Sequence, residues 1–331
     1  MKRLITSILV SLLVFLGTGL IMYPYVASWK NQFDQSFIID NYESRIDSAE
    51  PERSVQIHHA HVYNSALSSG AIVGKYEHVP AGTGIVDKTS DGEDIIPYTD
   101  QLKAADNGLM SRIRIPSIDV DLPVYHGADD DTLLKGAGHL EGTSLPVGGK
   151  STRTVITAHR GLASATMFTH LDQVKIGDRF TIETFGEVLT YEIKSKDVVE
   201  PEDSQKVLVE PDKDLATLIT CTPLGINTHR ILVTGERVEP TPIKDIESAG
   251  EKSSLPRFPW WAVIISVVII GNAIYLYRAT KEYKRYKSTL LEANEKTEEH
   301  SEQQTEHQPR GEHSDPLVPQ SDPHSPESTP L

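Results

Sequence analysis

Two apolar segments near opposite ends of the chain decide how the rest of it can fold. Residues 4–25 are almost wholly apolar, and residues 260–277 are eighteen residues without a charge. Because a helix needs about 20 apolar residues to cross a bilayer, we expect both segments to be membrane-spanning helices. No Ala-x-Ala site closely follows the first segment, so we interpret it as a retained anchor, with a cleaved signal peptide as the alternative.

Positive charges beside the two apolar segments predict their orientation. Lys2 and Arg3 precede the first segment, and the second is followed by a basic cluster of Arg278, Lys281, Lys284, Arg285 and Lys287. Basic residues are enriched on the cytoplasmic side of membrane proteins. We therefore expect both chain ends in the cytoplasm and residues 30–257 on the outer side of the membrane.

The acidic composition reflects the C-terminal tail more than the outer segment. The chain has a formal net charge of −15, and residues 288–331 alone contain ten acidic and two basic residues. This tail is poor in large apolar side chains, so burial cannot offset its ordering entropy and we expect disorder. No basic stripe marks the outer segment, which argues against nucleic acid as a partner.

The outer segment changes character at residue 108. Before it, residues 30–75 have loosely helical spacing, and residues 80–107 are irregular, as in a functional cover or a linker. After it come many short apolar or alternating runs, including a hairpin in which 179–185 and 189–193 flank Gly186 and Glu187. Short helices are expected at 129–134 and 163–174. The pattern favours a closed barrel or a sandwich.

Cys221 is the only cysteine of the chain, and it ends a strand-like apolar run at 216–220. In an oxidising compartment a lone cysteine cannot form an intrachain disulfide. It is then a buried small side chain, an intermolecular bridge or a reactive thiol. Arg230 follows nine residues later on the next strand-like run, and a nearby cation favours the thiolate, which is the nucleophile. The sequence therefore favours the reactive thiol.

A thiol nucleophile needs a group that handles protons and a donor for the developing oxyanion. His159 is a candidate because it follows a buried run at 155–158 and stands where the chain leaves the sheet. His229 is a rival because it precedes Arg230, and spacing does not decide between the two histidines. The guanidinium of Arg230 offers a fixed fork of donors, and it would lie beside Cys221 if the two runs paired as antiparallel strands.

The remaining motifs do not indicate a cofactor. His58, His59 and His61 form a cluster, but no cysteine or second ligand pair at zinc-like spacing accompanies them, so we expect a helix surface rather than a metal site. The chain has neither a Gly-x-Gly-x-x-Gly motif nor a phosphate-binding loop. We therefore expect no metal and no organic cofactor.

Three separated segments resemble the signature of sortases, the cysteine transpeptidases of Gram-positive cell envelopes. They are Thr-Leu-Ile-Thr-Cys at 217–221, Thr-Ala-His-Arg-Gly at 157–161, and Arg230. The stretches at 138–149 and 222–230, together with the two apolar segments, are similar to class C, the pilin-polymerising subgroup. The resemblance implies that Cys221 is the nucleophile, His159 the general acid and base, and Arg230 the ligand of the oxyanion and substrate carbonyl, with His229 at a flanking position.

The resemblance also implies an architecture. The chain would be mainly β, with a closed eight-stranded barrel, short helices, an N-terminal helical extension and two transmembrane helices. The expected parts are a cytoplasmic stub and anchor at 1–29, an extracellular helical extension with a candidate lid at 30–107, the sortase barrel at 108–240, a linker at 241–257, a transmembrane helix at 258–278, and a basic juxtamembrane segment with the acidic tail at 279–331.

One departure from class C concerns the lid, which in that subgroup commonly carries an Asp-Pro-aromatic tripeptide that plugs the site. This chain has no such tripeptide, and the nearest match is Ile96-Pro97-Tyr98. Tyr98 and Asp94 are therefore candidate lid residues. Thr220 and Thr222, which flank Cys221, are candidate substrate-binding residues.

The resemblance implies a membrane-anchored transpeptidase that cleaves an LPxTG-like sorting signal between Thr and Gly and joins the acyl group to a pilin lysine. Its expected partners are pilins or other LPxTG-bearing surface proteins, the membrane and a lipid-linked cell-wall precursor. Attachment of surface proteins to that precursor is the first alternative. A non-catalytic membrane-anchored binding module and a hydrolytic cysteine peptidase are the others.

Overall fold

A computed structural model describes residues 2–49, 52–68 and 95–306 of the chain. It divides into two compact units, one of Leu16–Val268 and one of Met1–Phe15 with Ile269–Leu331. The candidate lid residue Asp94 lies outside the described residues. The first unit contains the strands and the candidate site, so the description concentrates on it.

Eight strands close into a barrel in the order β1-β2-β3-β4-β7-β8-β6-β5, which confirms the predicted fold class. The pairs β2/β3 and β4/β7 are parallel, and the other pairs are antiparallel. The strands are β1 (Leu109–Ile115), β2 (Val120–His126), β3 (Ala137–His139), β4 (Thr152–Thr157), β5 (Arg179–Thr184), β6 (Glu187–Val199), β7 (Asp214–Thr222) and β8 (His229–Arg237).

The predicted hairpin is formed by β5 and β6. Its two turn residues, Phe185 and Gly186, have φ angles of 49° and 83°, which is the left-handed pair that a tight hairpin turn requires. The hairpin faces the barrel interior with Phe180 and Tyr191, whose rings stack with centroids 5.4 Å apart. Both side chains are fully buried, so the hairpin fills part of the core.

Three helices precede the barrel: α1 (Lys2–Asp40), α2 (Tyr42–Asp47) and α3 (Arg53–Ser68). The buried hydroxyl of Tyr42 donates to the carbonyl oxygen of Met110 and accepts from the amide of Phe185, both at 2.9 Å. On α3, the side chain of Asn64 exchanges two hydrogen bonds with the backbone of Leu145, at 3.1 and 2.7 Å. The predicted helical extension is therefore present and is bonded to the barrel wall.

Of the two helices expected between strands, one forms and the other does not. Residues 129–134 form α4 (Asp130–Leu133), whose first turn is capped by Asp129 accepting from the amide of Thr132. The helix expected at 163–174 is wrong, because only a 3-10 turn, Leu171–Gln173, forms there. The backbone of this loop makes tertiary bonds instead: the amide of Phe168 donates to the carbonyl of His159.

A helix long enough to cross a membrane stands near each end of the described chain. Both α1 and α6 (Trp260–Glu306) have the length and apolar composition for this. The disorder expected from Ser288 is corrected for 288–306, where α6 continues. Residues 281–297 are rich in Lys, Glu, Leu and Ala, whose high helix propensity extends a helix that has already been nucleated.

The expected linker, residues 241–257, is docked on the barrel. It contains α5 (Ile243–Glu247) and contributes the carbonyl of Glu251 to the guanidinium of Arg112 at 2.7 Å. The same guanidinium donates twice to Asp121, at 2.8 and 2.9 Å, and lies 3.7 Å from Glu183. Asp121 also accepts from the hydroxyl of Ser253 at 2.7 Å. A buried charge cluster thus joins β1, β2, β5 and this segment.

Replacing Asp121 with alanine is expected to lower the free energy of unfolding by about 3 kcal/mol, because the guanidinium of Arg112 would stay buried without its main partner. Chemical denaturation of the detergent-solubilised protein measures this. The matched control is Asp119→Asn, which removes the charge that pairs with Arg257 and keeps a residue type that tolerates the left-handed φ of 53° at this position. The side chains of Arg257 and Asp119 are 74% and 54% exposed. That control should cost less than about 1 kcal/mol. Equal losses in the two variants would contradict the prediction.

Candidate active site

The predicted nucleophile and the predicted oxyanion ligand lie side by side at one end of the barrel. Cys221 is the second-last residue of β7 and Arg230 the second residue of β8. In the antiparallel β7/β8 ladder Cys221 is the register partner of Arg230. The expectation that the two runs pair as antiparallel strands is confirmed. Cys221 is a free cysteine and is half-buried beside β8.

His159 reaches the same end of the barrel from the neighbouring strand. The parallel β4/β7 ladder ends with Thr157 opposite Ile219. The amide of Ala158 donates to the carbonyl of Ile219 at 3.2 Å, which extends the pairing by one residue. In this register His159 is the residue that stands across from Cys221. The backbone therefore brings together His159, Cys221 and Arg230 on three adjacent strand ends.

The guanidinium of Arg230 is oriented by its own loop. One of its terminal nitrogens, Nη1, donates to the carbonyl oxygens of Asn227 at 3.0 Å and His229 at 3.1 Å. Because both acceptors are neutral, these bonds fix the direction of the fork without neutralising its charge. Asn227 has a left-handed φ of 62°, which turns its carbonyl toward the arginine side of the loop.

The rival histidine, His229, is held on the other side of β8. Its Nε2 lies 3.3 Å from Oε1 of Glu200, and its Nδ1 lies 2.9 Å from the hydroxyl of Thr228. Its register partner is Thr222, one residue beyond Cys221. Both ring nitrogens of His229 therefore have partners other than the thiol.

The hydroxyls of the candidate substrate-binding threonines are engaged within the protein. Thr220 is 1% exposed, and its hydroxyl donates to the carbonyl of Ala158 at 2.8 Å. The hydroxyl of Thr222 accepts from Nη1 of Arg160 at 2.9 Å. Substrate binding by these residues stays a prediction, and for Thr220 the buried hydroxyl points to a structural role instead.

Arg160 is the residue of the site that the sequence analysis did not single out. Its side chain is only 9% exposed and is paired with Asp172 at 3.0 Å, and its Nε donates to the carbonyl of Thr169 at 3.1 Å. Its position next to His159 was the available signal. The partners that give it a role come from distant segments, and spacing does not predict them.

Tyr98 contacts residues of β2 and β3. It starts a 3-10 turn, Tyr98–Asp100, and its buried hydroxyl lies 2.9 Å from Nδ1 of His139 and accepts from the amide of Gly127 at 3.0 Å. Its ring stacks on His139 and meets His126 edge-on. These contacts build Tyr98 into the wall formed by β2 and β3, and a role as a lid over Cys221 stays a prediction.

The imidazole of His139 is fully buried in this wall. Its Nε2 lies 2.9 Å from the carbonyl oxygen of Ser144, to which it donates, and the hydroxyl proton of Tyr98 is shared between Nδ1 at 2.9 Å and the carbonyl oxygen of His139 at 3.1 Å. Both bonds fit the neutral ring. Burial lowers the pKa of His139 to about 4, because a charged imidazolium would lose its hydration there.

The buried His139 makes stability depend on pH. The unfolded chain takes up a proton on this residue near pH 6.5, whereas the folded protein does so only near pH 4, so stability should fall as pH falls between these values, by up to roughly 3 kcal/mol. In denaturation at several pH values, His139→Gln should flatten this dependence although it lowers stability at pH 7. The exposed His170→Gln is the control and should keep the wild-type slope. Parallel curves for His139→Gln and wild type would contradict the assignment.

The histidine cluster is carried by α3, where His58 and His61 are exposed. Within residues 2–49, 52–68 and 95–306, no group of three or more His, Cys, Asp or Glu side chains is arranged to hold a metal ion. The expectation that no metal takes part stays a prediction. The chemistry available at the barrel end is that of a thiol, an imidazole and a guanidinium.

Curated proteins of similar sequence are sortases. A family model described as sortase domain matches residues 113–238. Sortase D of Bacillus subtilis is 30% identical over 130 residues, which cover 38% of this chain and 62% of that protein. Sortase A of Streptococcus agalactiae is 30% identical over 157 residues, which cover 46% of this chain and 59% of that protein. The chain thus spans about three fifths of the length of these relatives.

Solved structures match over more of the chain. Sortase C1 of Streptococcus agalactiae has a TM-score of 0.52 and 36% identity, covering 61% of this chain and 98% of that chain. Sortase C1 of GBS pilus island 1 has a TM-score of 0.52 and 34% identity, covering 65% and 98%. Since nearly the whole of each of these chains is matched at more than 30% identity, this protein belongs to the sortase family.

Proposed function

We propose that this protein is a membrane-anchored cysteine transpeptidase that cleaves an LPxTG-like sorting signal between Thr and Gly and joins the acyl group to a pilin lysine. The observation that carries the proposal is the register of the barrel end, in which Cys221 pairs with Arg230 and the strand exit bearing His159 adjoins Cys221. Membership of the sortase family supports the reaction class. Similarity to a sortase C1 whose name refers to a pilus island supports pilin as the substrate.

In the first step, the thiolate of Cys221 attacks the carbonyl carbon of the Thr–Gly peptide bond. A sulfur–carbon bond forms, and the carbonyl electrons move to oxygen, where the fixed donors of Arg230 stabilise the oxyanion. When the oxyanion collapses, the carbon–nitrogen bond breaks. The imidazolium of His159 gives its proton to the departing amine. The product is a thioester between Cys221 and the threonine carbonyl.

In the second step, a lysine amine of another pilin attacks the thioester. Neutral His159 accepts the proton that the attacking nitrogen loses, and Arg230 stabilises the second oxyanion. The carbon–sulfur bond then breaks and restores the thiolate of Cys221 and the imidazolium of His159. The new bond is an isopeptide. No metal or organic cofactor takes part in these steps, since the three side chains supply nucleophile, acid and oxyanion ligand.

The two candidate membrane helices give the proposal its setting. We infer that both chain ends are cytoplasmic, that the barrel is extracellular, and that α1 and α6 cross the membrane. The reason is that basic residues precede the first apolar segment and follow the second. An enzyme held at the membrane shares a thin layer with substrates that are themselves anchored. Their effective concentration rises without any additional contact.

The test is acyl transfer by the full-length protein in detergent or nanodiscs. A labelled peptide with a Leu-Pro-x-Thr-Gly signal is offered with a lysine-bearing pilin peptide, a glycine amine or water alone, and products are identified by mass spectrometry. The proposal predicts a threonine–lysine isopeptide. Preference for the glycine amine would support attachment to a cell-wall precursor instead, and cleavage that is independent of any amine would support a hydrolase.

A further inference from the structure

We propose that Arg160 is a positioning residue, which locks Cys221 in register with His159 through the hydroxyl of Thr222. This role rests on the proposed function, but the claim that the bond fixes Cys221 relative to His159 can be tested separately. It concerns the pair of segments that follow the β4/β7 ladder, each of which carries one of the two reacting side chains.

The ladder itself stops short of the site. Its last pair is Thr157 with Ile219, so His159 and Cys221 both lie two residues beyond it. The residues on either side of them are then joined by side-chain bonds. The hydroxyl of Thr220 donates to the carbonyl of Ala158, and Arg160 donates to the hydroxyl of Thr222. The two neighbours of Cys221 are thus bonded to the two neighbours of His159.

This arrangement holds β7 from the side away from the thiol. Side chains alternate along a strand, so Thr220 and Thr222 point to one side of β7 and Cys221 to the other. Their bonds to Ala158 and Arg160 therefore fix the strand end without occupying the thiol face. The face that would receive a substrate carbonyl stays available.

Arg160 is itself immobilised, which allows it to act as a fixed support. Each end of its guanidinium has a different partner: Nη1 the hydroxyl of Thr222, Nη2 the carboxylate of Asp172, and Nε the carbonyl of Thr169. The side chain is nearly buried. A planar guanidinium that is held by three partners can move little. The hydroxyl of Thr222 is therefore fixed relative to the loop that carries His159.

The close approach of the Leu224 side chain to Gly161 reinforces the same junction. Gly161 has a φ of 77°, and a Cβ atom there would lie 2.7 Å from Cδ2 of Leu224 in the loop after β7. The absence of a side chain lets the His159 loop and the Cys221 loop approach each other this closely. The amide of Gly161 donates to the hydroxyl of Thr169 at 3.1 Å, and the carbonyl of Thr169 is a partner of Arg160.

Such a support matters because acyl transfer tolerates little misplacement. Reacting groups must be held near 3 Å apart, and a shift of about 1 Å can cost about 100-fold in rate. Loss of the Thr222 bond should therefore reduce turnover more than substrate binding. Thr222→Val removes the acceptor and keeps the shape, and we expect it to lower kcat about tenfold or more and to leave KM within about twofold. Thr222→Ser keeps the hydroxyl and should be near wild type.

A double-mutant cycle tests whether Arg160 and Thr222 act through one bond. Arg160→Gln and Thr222→Val should each lower kcat, and the double variant should be no slower than the slower single variant, because both remove the same bond. The control is Arg179→Gln, an arginine whose side chain is 51% exposed and pairs with Glu192 on β6. It should leave kcat unchanged. Effects that multiply in the double variant would overturn the proposal.

Alkylation of Cys221 gives a readout that needs no sorting signal. The rate of reaction with iodoacetamide is measured against pH in full-length wild type, His159→Ala, Thr222→Val, Thr222→Ser and Arg160→Lys. We expect the profiles of Thr222→Val and Arg160→Lys to move toward that of His159→Ala, and Thr222→Ser to match wild type. Thr222→Val with the wild-type profile and kcat, and only a lower Tm, would overturn the positioning role. A wild type that alkylates as expected but transfers no acyl group would instead refute the proposed function.

Discussion

Replacing Cys221 with alanine is expected to abolish both the thioester and acyl transfer to lysine, with a loss of at least about 1,000-fold in kcat/KM. The residual side chain has no atom that can form the acyl intermediate. Cys221 is half-buried at a strand end and forms no disulfide. It pairs with Arg230 through the backbone of the β7/β8 ladder, which does not depend on the thiol. The Cys221→Ala variant should therefore keep the fold, and its loss of activity should come from the missing nucleophile.

Mass spectrometry of the intact protein after incubation with sorting-signal peptide measures this directly. Wild type should gain the mass of the acyl group, and Cys221→Ala should not. The fold control is the thermal unfolding midpoint, which should change by no more than a few degrees. If Cys221→Ala accumulates acyl-enzyme or transfers the acyl group at the wild-type rate, the nucleophile has been assigned to the wrong residue.

Replacing Arg230 with lysine is expected to lower kcat by about 100-fold, with a small change in KM. A donor aimed at an oxyanion contributes about 100- to 1,000-fold to kcat, and lysine keeps the charge but loses the fork. The contacts explain why the fork matters here. Nη1 donates to the carbonyls of Asn227 and His229, and the fork offers Nη2 and Nε to an oxyanion at a different position. A lysine would have to reach all three oxygens from a single nitrogen.

The matched control for this prediction lies on the same strand. Arg237 ends β8 far from Cys221, where its Nη2 donates to the hydroxyl of Thr241 at 3.0 Å and its guanidinium lies 5.9 Å from the ring of Tyr191. Arg237→Lys should leave kcat unchanged even if stability falls. Equal kinetic losses for the two lysine variants would mean that Arg230 acts through the fold of β8 rather than on the reacting oxygen.

The parts of the fold that follow from local pattern could be predicted from the sequence. The β5/β6 hairpin was predictable because two alternating runs enclose a glycine-containing turn. The antiparallel pairing of Cys221 with Arg230 was predictable because two short runs are separated by a turn containing Pro223 and Gly225. Both features depend on residues close in sequence, where turn geometry determines the register.

Features that depend on distant partners could not be predicted in this way. The strand β6 runs six residues past the predicted end at Ile193, through a register shift at Ile193/Ser195, because β8 offers a ladder for it. The place of Tyr98 depends on His139, forty-one residues away. Spacing did not decide between His159 and His229, and the roles of Arg160 and Thr222 appear only when β4 and β7 are adjacent.

The closed barrel has a consequence for how a peptide can be recognised. Each of the eight strands has a hydrogen-bonded neighbour on both sides, so none presents a whole free edge to which an extended peptide could add as a further strand. We therefore expect selectivity to come from the loops and side chains around the mouth of the barrel. Those loops can diversify by mutation while the hydrogen-bonded wall stays constant, so a change of client protein requires no change of scaffold.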